Sequence, residues 1–409
     1  MALQPEIDDN IEDILLRLPS PASLARAALA SRRWRGIASS PRFLRRFREL
    51  HPWSSVLGLF VTHADLDQLP IFHPAAAVRS DADLAAAARR ADFLLTRLEH
   101  DPAWRLRDFR NGRLLLCRGD SLSVYDPVSV SHRHVAVPRP RNEALPEPEY
   151  ISDCLLDLDG HGDGECGAPC FRVVTVQRER DGQRMRAMEY GSRAAGWRVH
   201  PWVDRMRRPM HAAAAGLIFW KYDMNSSLLL DTSTMAFSIV PLPVPRTRVY
   251  AIGDTDAGAC CLLNIVGATM LQVWLLKKKN GVGGGRAWEL EKQSQIGELA
   301  NLNRRFSVHM VSAGLAIVYC VSSKYSHIVI DLKDLSLKDK FRCHRCMAFP
   351  FQMPWPPAGL VATPTCERST PQPYACKETD YRIELIIPPF GTSNCRDRLN
   401  LLLPIELYN

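Results

Sequence analysis

The chain has 409 residues and a mass of 46.0 kDa, enough for one small and one large domain. Its 46% hydrophobic and 23% charged residues suit a soluble globular protein, and a net charge of +8 is modest for that size. The acidic start, MALQPEIDDNIED, lacks the apolar core of a signal peptide, and the longest uncharged apolar run, Met310–Val321, is too short to cross a bilayer. A cytoplasmic or nuclear protein is expected, with no membrane partner. The 12 cysteines then read as buried thiols in a reducing compartment.

In chain order, the first predicted helix holds Ile7, Ile11, Ile14, Leu15 and Leu18 at spacings of three and four, on one face. Asp8 and Asp9 stand where an N-cap and a first-turn anion belong, and Pro19 stops the helix. Pro21 suits the first turn of a second helix carrying Leu24, Ala28 and Leu29. Ser31 is placed to cap a third, with Trp34 and Ile37 on a common face. The SSP at 39–41 interrupts it, and Phe43, Leu44 and Phe47 begin a fourth. Helices this short bury too little surface to stand alone, so the segment must dock on something. Arginines at 26, 32, 33, 35, 42, 45, 46 and 48 raise nucleic acid as a partner, but no aromatic platform is interleaved with them. A solvated face, or one meeting an acidic protein, fits better.

The ILLRLP run at 14–19, the SLARAALASRRWRGIASSP run at 23–41 and Phe43 just beyond resemble an F-box. That is the adaptor-docking motif of substrate receptors in Skp–cullin–F-box ubiquitin ligases. Where the family usually opens on a Leu-Pro pair followed by an acid, Ile7-Asp8-Asp9 stands here. The resemblance implies a helical domain over 5–50 that binds a Skp-type adaptor and, through it, a cullin. The docking residues it implies are Ile11, Ile14, Leu15, Leu18, Pro19, Leu24, Leu29 and Trp34, some of which must also pack internally. A helical cap of the larger domain is the alternative reading of the same stripe.

Beyond the helices, SSVLGLFVTH at 54–63 reads as a strand with apolar residues on both faces, and DADLAAAARRADFLLTRLEHD at 81–101 as a short helix or an insertion. From Gly112 a repeat takes over. GRLLLCRGDSLSVYDPVSVSHRHVAVP at 112–138 holds three apolar runs parted by turns, the second closed by Asp126. GLIFWKYDMNSSLLLDTSTMAFSIVPLP at 216–243 repeats it with Asp231, and GLAIVYCVSSKYSHIVIDLKDLSLKDKF at 314–341 with Asp331. Each Asp is expected to accept from turn amides. Strand–turn–strand units lie between the copies, with Trp288 matching Trp197. A unit of about 45–50 residues signals a radial array, in which each small sheet exposes two apolar faces and its neighbours cover both. Closure is expected from the strand at 56–61 with strands at 382–387 and 399–407, joining the two chain ends. In layout, the 55–409 region resembles the F-box-associated, kelch-like β domains of plant F-box proteins, without the kelch double glycines. The expected fold is therefore α+β, mainly β: a small helical F-box followed by a large antiparallel, propeller-like domain.

Little points to catalysis. The CHRC at 343–346 has metal-ligand spacing, but Cys366, Cys376 and Cys395 follow irregularly, and Cys166 and Cys170 form another isolated pair. KKKNGVGGGR at 277–286 lacks the Gly-Lys-Ser/Thr ending of a phosphate loop and runs on into Trp288 and Leu290 of a strand. His161, Asp163 and Glu165 share a glycine-rich loop whose spacing fits no calcium loop. There is no GxSxG or HExxH. The sequence is read as having no catalytic residue, no metal and no cofactor. The expected role is a non-catalytic substrate receptor that tethers a protein target near a ubiquitin-charged enzyme. A propeller-type enzyme with a central site, and a binding module unrelated to ubiquitin, are the alternatives. Target recognition is expected on loops 139–150, 159–169, 277–286 and 364–380, which are rich in proline, glycine and charge.

Overall fold

The computed structural model describes residues 3–51, 56–63, 69–98, 103–128, 134–139, 149–157, 171–179, 184–204, 211–221, 225–243, 250–266, 270–278, 285–295, 305–321, 326–342 and 346–355. Four short helices come first: α1 (Leu3–Leu16), α2 (Pro21–Ala30), α3 (Arg32–Ala38) and α4 (Pro41–Leu50). Three serines cut this segment where the sequence places them. Ser20 accepts from the Ser23 amide at 3.2 Å, Ser31 from Trp34 at 3.4 Å and Ser40 from Phe43 at 3.2 Å. Pro21 and Pro41 open α2 and α4, where a missing N–H costs nothing. One expectation fails: α1 starts at Leu3, so Asp8 and Asp9 lie inside it and cap nothing. Asp8 instead accepts from Arg33 of α3 at 2.7 Å.

Next come β1 (Val56–His63), β2 (Ile71–Pro74), α5 (Ala76–Ser80) and α6 (Ala82–Arg90), the last capped by Asp81. The chain then makes a series of antiparallel meanders. The first is β3 (Arg105–Arg110), β4 (Arg113–Arg118), β5 (Ser121–Tyr125) and β6 (Val135–Pro138). The next is β7 (Glu149–Asp157), β8 (Phe171–Arg178), β9 (Arg184–Gly191) and β10 (Gly196–Val199), with β11 (Val203–Asp204) also on β9. A third is β12 (His211–Ala214), β13 (Leu217–Lys221), β14 (Ser226–Asp231) and β15 (Ala236–Pro241). The fourth is β16 (Tyr250–Asp254), β17 (Cys260–Val266), β18 (Met270–Lys278) and β19 (Arg286–Gln295). The fifth is β20 (Arg305–Ser312), β21 (Leu315–Val321), β22 (Ser326–Asp331) and β23 (Leu337–Arg342). Finally β24 (Cys346–Gln352) returns to β1, giving a three-stranded sheet β2-β1-β24.

These six sheets are the blades of a β-propeller; with β2-β1-β24 as the first blade, the five meanders are the second to the sixth in chain order, and an apolar cluster fills each gap between neighbours. Both faces of β1 are used, as its sequence predicts: Leu57 and Phe60 pack toward the second blade, Leu59 and Val61 toward the sixth. Trp197 and Trp288 fill equivalent gaps, Trp197 against Tyr190 and Trp288 against Phe219 of the preceding blade. Closure does join the two ends of the ring, but its C-terminal contribution is β24, paired from Val56↔Gln352 to His63↔Cys346. The strands expected at 382–387 and 399–407 lie outside the described residues. By its contacts the chain divides into Met1–Ala362 and Thr363–Asn409.

The repeat of about 100 residues spans two blades, and each copy has one more strand in front of its glycine than the sequence suggested. Those strands, β3, β12 and β20, turn into the next through two residues at positive φ: Asn111 and Gly112, Ala215 and Gly216, Ala313 and Gly314. Such a turn matches the twist of the strands it joins, and its second position takes glycine for want of a Cβ. The recurrent aspartates act as expected. Asp126, Asp231 and Asp331 each accept from the amide two residues on, at 3.0, 3.0 and 2.6 Å. Polar staples join blades as well: Arg286 reaches Asp231 at 2.6 Å, and Trp197 donates to the Pro138 carbonyl at 2.5 Å.

Candidate functional site

The helical segment makes a small core from Leu15, Leu16, Leu24, Ala28, Ala38, Phe43 and Phe47. The eight residues expected to dock a partner therefore divide. Leu15 and Leu24 are wholly buried, because each faces the other helices, and they leave no surface for a partner. Ile11, Leu18 and Trp34 lie half-buried at the rim of this core. Ile14 and Leu29 are 54% and 73% exposed, and Pro19 is exposed beside them in sequence. With Leu50 of α4 exposed as well, leaving three aliphatic side chains this open on so small a piece is the signature of a contact surface.

What the helices dock on is the ring. Trp355, just past β24, stacks on Phe47 with ring centroids 5.9 Å apart. Asn111, in the β3–β4 turn, clasps the Trp355 backbone, donating to its carbonyl at 3.2 Å and accepting from its amide at 2.7 Å. On the other side Asp83 of α6 accepts from Ser23 at 2.9 Å and from Arg26 at 2.8 Å. The helices are thus held at the end of the ring that carries the β3–β4 turn, with Ile14 and Leu29 left to solvent. Sequence reasoning missed Trp355, Asn111 and Asp83, whose partners lie far along the chain.

Strands β3, β7, β12, β16, β20 and β24 run next to one another around the axis. Asp108 of β3 accepts from the Leu155 amide of β7 at 2.7 Å, and Asp254 of β16 from the Ala313 amide beyond β20 at 2.8 Å. Burial pushes the Asp108 carboxyl up to about 6, against the pull of nearby Arg110. Arg110 extends from the second blade to Asp254 of the fifth, 2.6 Å away, and toward the Ala213 carbonyl. These central charged groups are matched to one another and to backbone amides.

Among the described residues no group of His, Cys, Asp and Glu is arranged to hold a metal ion. Cys117, Cys154, Cys260 and Cys261 are free and buried, whereas Cys346 is disulfide-bonded, contrary to the expectation of thiols throughout. Cys343 and His344 of the CHRC run, the pair Cys166 and Cys170, and the loop with His161, Asp163 and Glu165 lie outside the described residues. So does most of the 277–286 loop; its ends, Lys278 and Arg286, are hairpin partners of β18 and β19, as expected for a turn between strands. No helix is long and apolar enough to cross a membrane among the described residues.

Comparison with known proteins gives one sequence match: residues 9–49 fit the F-box-like family. The N-terminal helices form an F-box-like domain. Domains of this kind generally bind Skp-type adaptors. No curated protein matches the chain. Among solved structures it is similar in backbone course to apo AztD from Citrobacter koseri, at 11% identity and a TM-score of 0.33, over 63% of this chain and 77% of that one. The propeller domain of Cps50 (Swd1) from Myceliophteria thermophila matches at 12% identity and 0.32, over 56% and 68%. TolB from Acinetobacter baumannii matches at 12% identity and 0.33, over 66% and 61%.

Proposed function

We propose that the protein is a substrate-recognition subunit of a Skp–cullin–F-box ubiquitin ligase. In this reading an F-box over 5–50 holds the adaptor and through it a cullin, and the 55–409 region holds a protein target. The observation that carries it is the F-box-like segment fixed to a propeller with Ile14 and Leu29 turned outward. The chain then supplies no catalytic group; it acts by holding target lysines at high effective concentration near the transferring enzyme. On its strand layout we group the ring with the kelch-like, F-box-associated domains of plant F-box proteins, working in the cytoplasm or nucleus.

The test is co-purification of the full chain with a Skp-type adaptor. Ile14→Asp with Leu29→Asp should weaken capture by more than about tenfold, since desolvated anchors dominate such interfaces. Both side chains lie outside the internal core, so the melting temperature should hold. Equal capture by the double variant would overturn the assignment of this face.

A further inference from the structure

The end of the ring opposite the F-box-like helices is set by strand direction. Asp108 meets Leu155 near the C-terminal ends of β3 and β7, at the helix end, so Tyr150 near the start of β7 lies at the other. Pairing then builds a row across the third blade: Tyr150↔Gln177 and Gln177↔Arg186. On this row, Arg139 from the second blade stacks over the Tyr150 ring at 4.3 Å, and Arg186 over Trp202 at 4.5 Å. The row continues the apolar wall between these blades, where Leu155, Val173 and Tyr190 are buried.

The cations here are unequally compensated. Arg139 is held by both oxygens of Asp153 at 2.6 and 2.9 Å. Arg184 is held by both oxygens of Glu179 at 2.7 and 2.6 Å. Among the described residues, half-buried Arg186 bonds the neutral Gln177 oxygen at 2.8 Å and has no carboxylate within ion-pair distance. The Gln177 amide nitrogen is itself buried with no partner. Burial lowers the Arg186 pKa, against the pull of the Tyr150 phenol. A half-buried guanidinium without a counter-anion is costly unless something arrives to complete it.

We propose that this end of the seam between the second and third blades binds an acidic segment of a protein, seating a carboxylate on Arg186 between Trp202 and Tyr150. Arg offers a planar fork that fits a carboxylate with two bonds, and flanking rings exclude water and strengthen that pair. A peptide fits better than a nucleic acid strand. Both rings already carry a guanidinium on a face, which removes the stacking surface bases need, and one uncompensated cation is too few for a phosphate backbone. The inference takes the target face from the function proposed above, but the binding itself needs no adaptor.

The test pans a random peptide library on the full chain and on Arg186→Gln, Arg186→Glu and Trp202→Leu. Peptides selected by the parent chain should be enriched in Asp and Glu and bind Arg186→Gln at least about tenfold more weakly. Arg186→Glu should shift selection to basic peptides, while melting and adaptor capture stay as in the parent. Selection without acidic enrichment, or equal binding by Arg186→Gln, overturns the proposal. So does displacement of the peptides by a single-stranded oligonucleotide that also binds Arg186→Gln. Loss of adaptor capture with acidic selection intact would strike the ubiquitin-ligase reading and leave the Arg186 site standing.

Discussion

The helical segment and the ring solve the same problem, too little surface per unit, in opposite ways. Each blade is covered on both faces by copies of itself, so nearly all its aliphatic strand residues are enclosed. The helices have no such neighbours. They enclose seven side chains, borrow Trp355 from the ring, and leave Ile14 and Leu29 in water. Self-covering repeats give a rigid frame, and an under-covered annex gives a place to bind. In the ring, the interior wall between the second and third blades ends at the half-buried pair Arg186 and Trp202.

The largest expected effect breaks the ring. Removing 346–409 takes away β24, and with it the innermost strand of the first blade. The second blade would then lose the cover of Phe351 and Phe349, and the sixth that of Ala348 and Cys346. Phe60 alone meets Phe351 at 5.4 Å and Phe72 at 5.1 Å, and losing one buried phenylalanine costs about 3–5 kcal/mol. Losing the whole strand should abolish cooperative melting, followed by far-ultraviolet circular dichroism. A chain ending at 345 that still melted cooperatively would show that the ring does not depend on closure.

This contrast also marks what the sequence made legible. Helix ends were readable because serine caps and prolines act within four residues, and blades were readable because both strand faces are apolar. Ring closure was legible only in β1: the partner strand CMAFPFQ was not read from the sequence, and its pairing with Val56–His63 emerges only in the fold. The docking set was half readable: helical period groups Ile14 with Leu15 and Leu18, but which side meets α2 and α4 depends on packing. Arg186 was invisible, because its lack of a counter-anion emerges only when three strands pair.

A smaller effect sharpens the comparison within the ring. His327 of β22 is wholly buried, stacked on Phe341 at 4.8 Å, with His309 at 5.3 Å, Tyr319 at 5.0 Å and the Cys346 sulfur at 4.0 Å. Its Nε2 has no partner, nor has His309 Nδ1. Burial, with His309 beside it, brings His327 down to about 4. The folded state therefore holds it neutral where the unfolded chain binds a proton. Its stabilising effect is complete above the unfolded value near 6.5 and is lost as pH falls from there toward 4, on the order of 3 kcal/mol. His327→Phe should flatten the denaturation profile across that window. If parent and variant lose stability in parallel, the histidine is not the titrating group.

The smallest effect probes the seam between the two regions. Trp355→Ala removes the ring stacked on Phe47 but leaves the backbone clasp of Asn111, which involves only the Trp355 amide and carbonyl. Trp355 is half-buried, so its loss should cost about 2 kcal/mol, below the range for an enclosed aromatic. Arg26→Ala on the other side serves as the control. That guanidinium is 77% exposed, and its pair with Asp83 should be worth about 0.5 kcal/mol or less. Because the helices lean on Trp355 while the blades do not, the cost should fall on the helices alone. Helical ellipticity should then be lost several degrees before the tryptophan fluorescence of the ring, two transitions where the parent chain shows one. If both signals moved together, the helices and the ring would be a single cooperative unit, and the frame-and-annex contrast would fail at the seam.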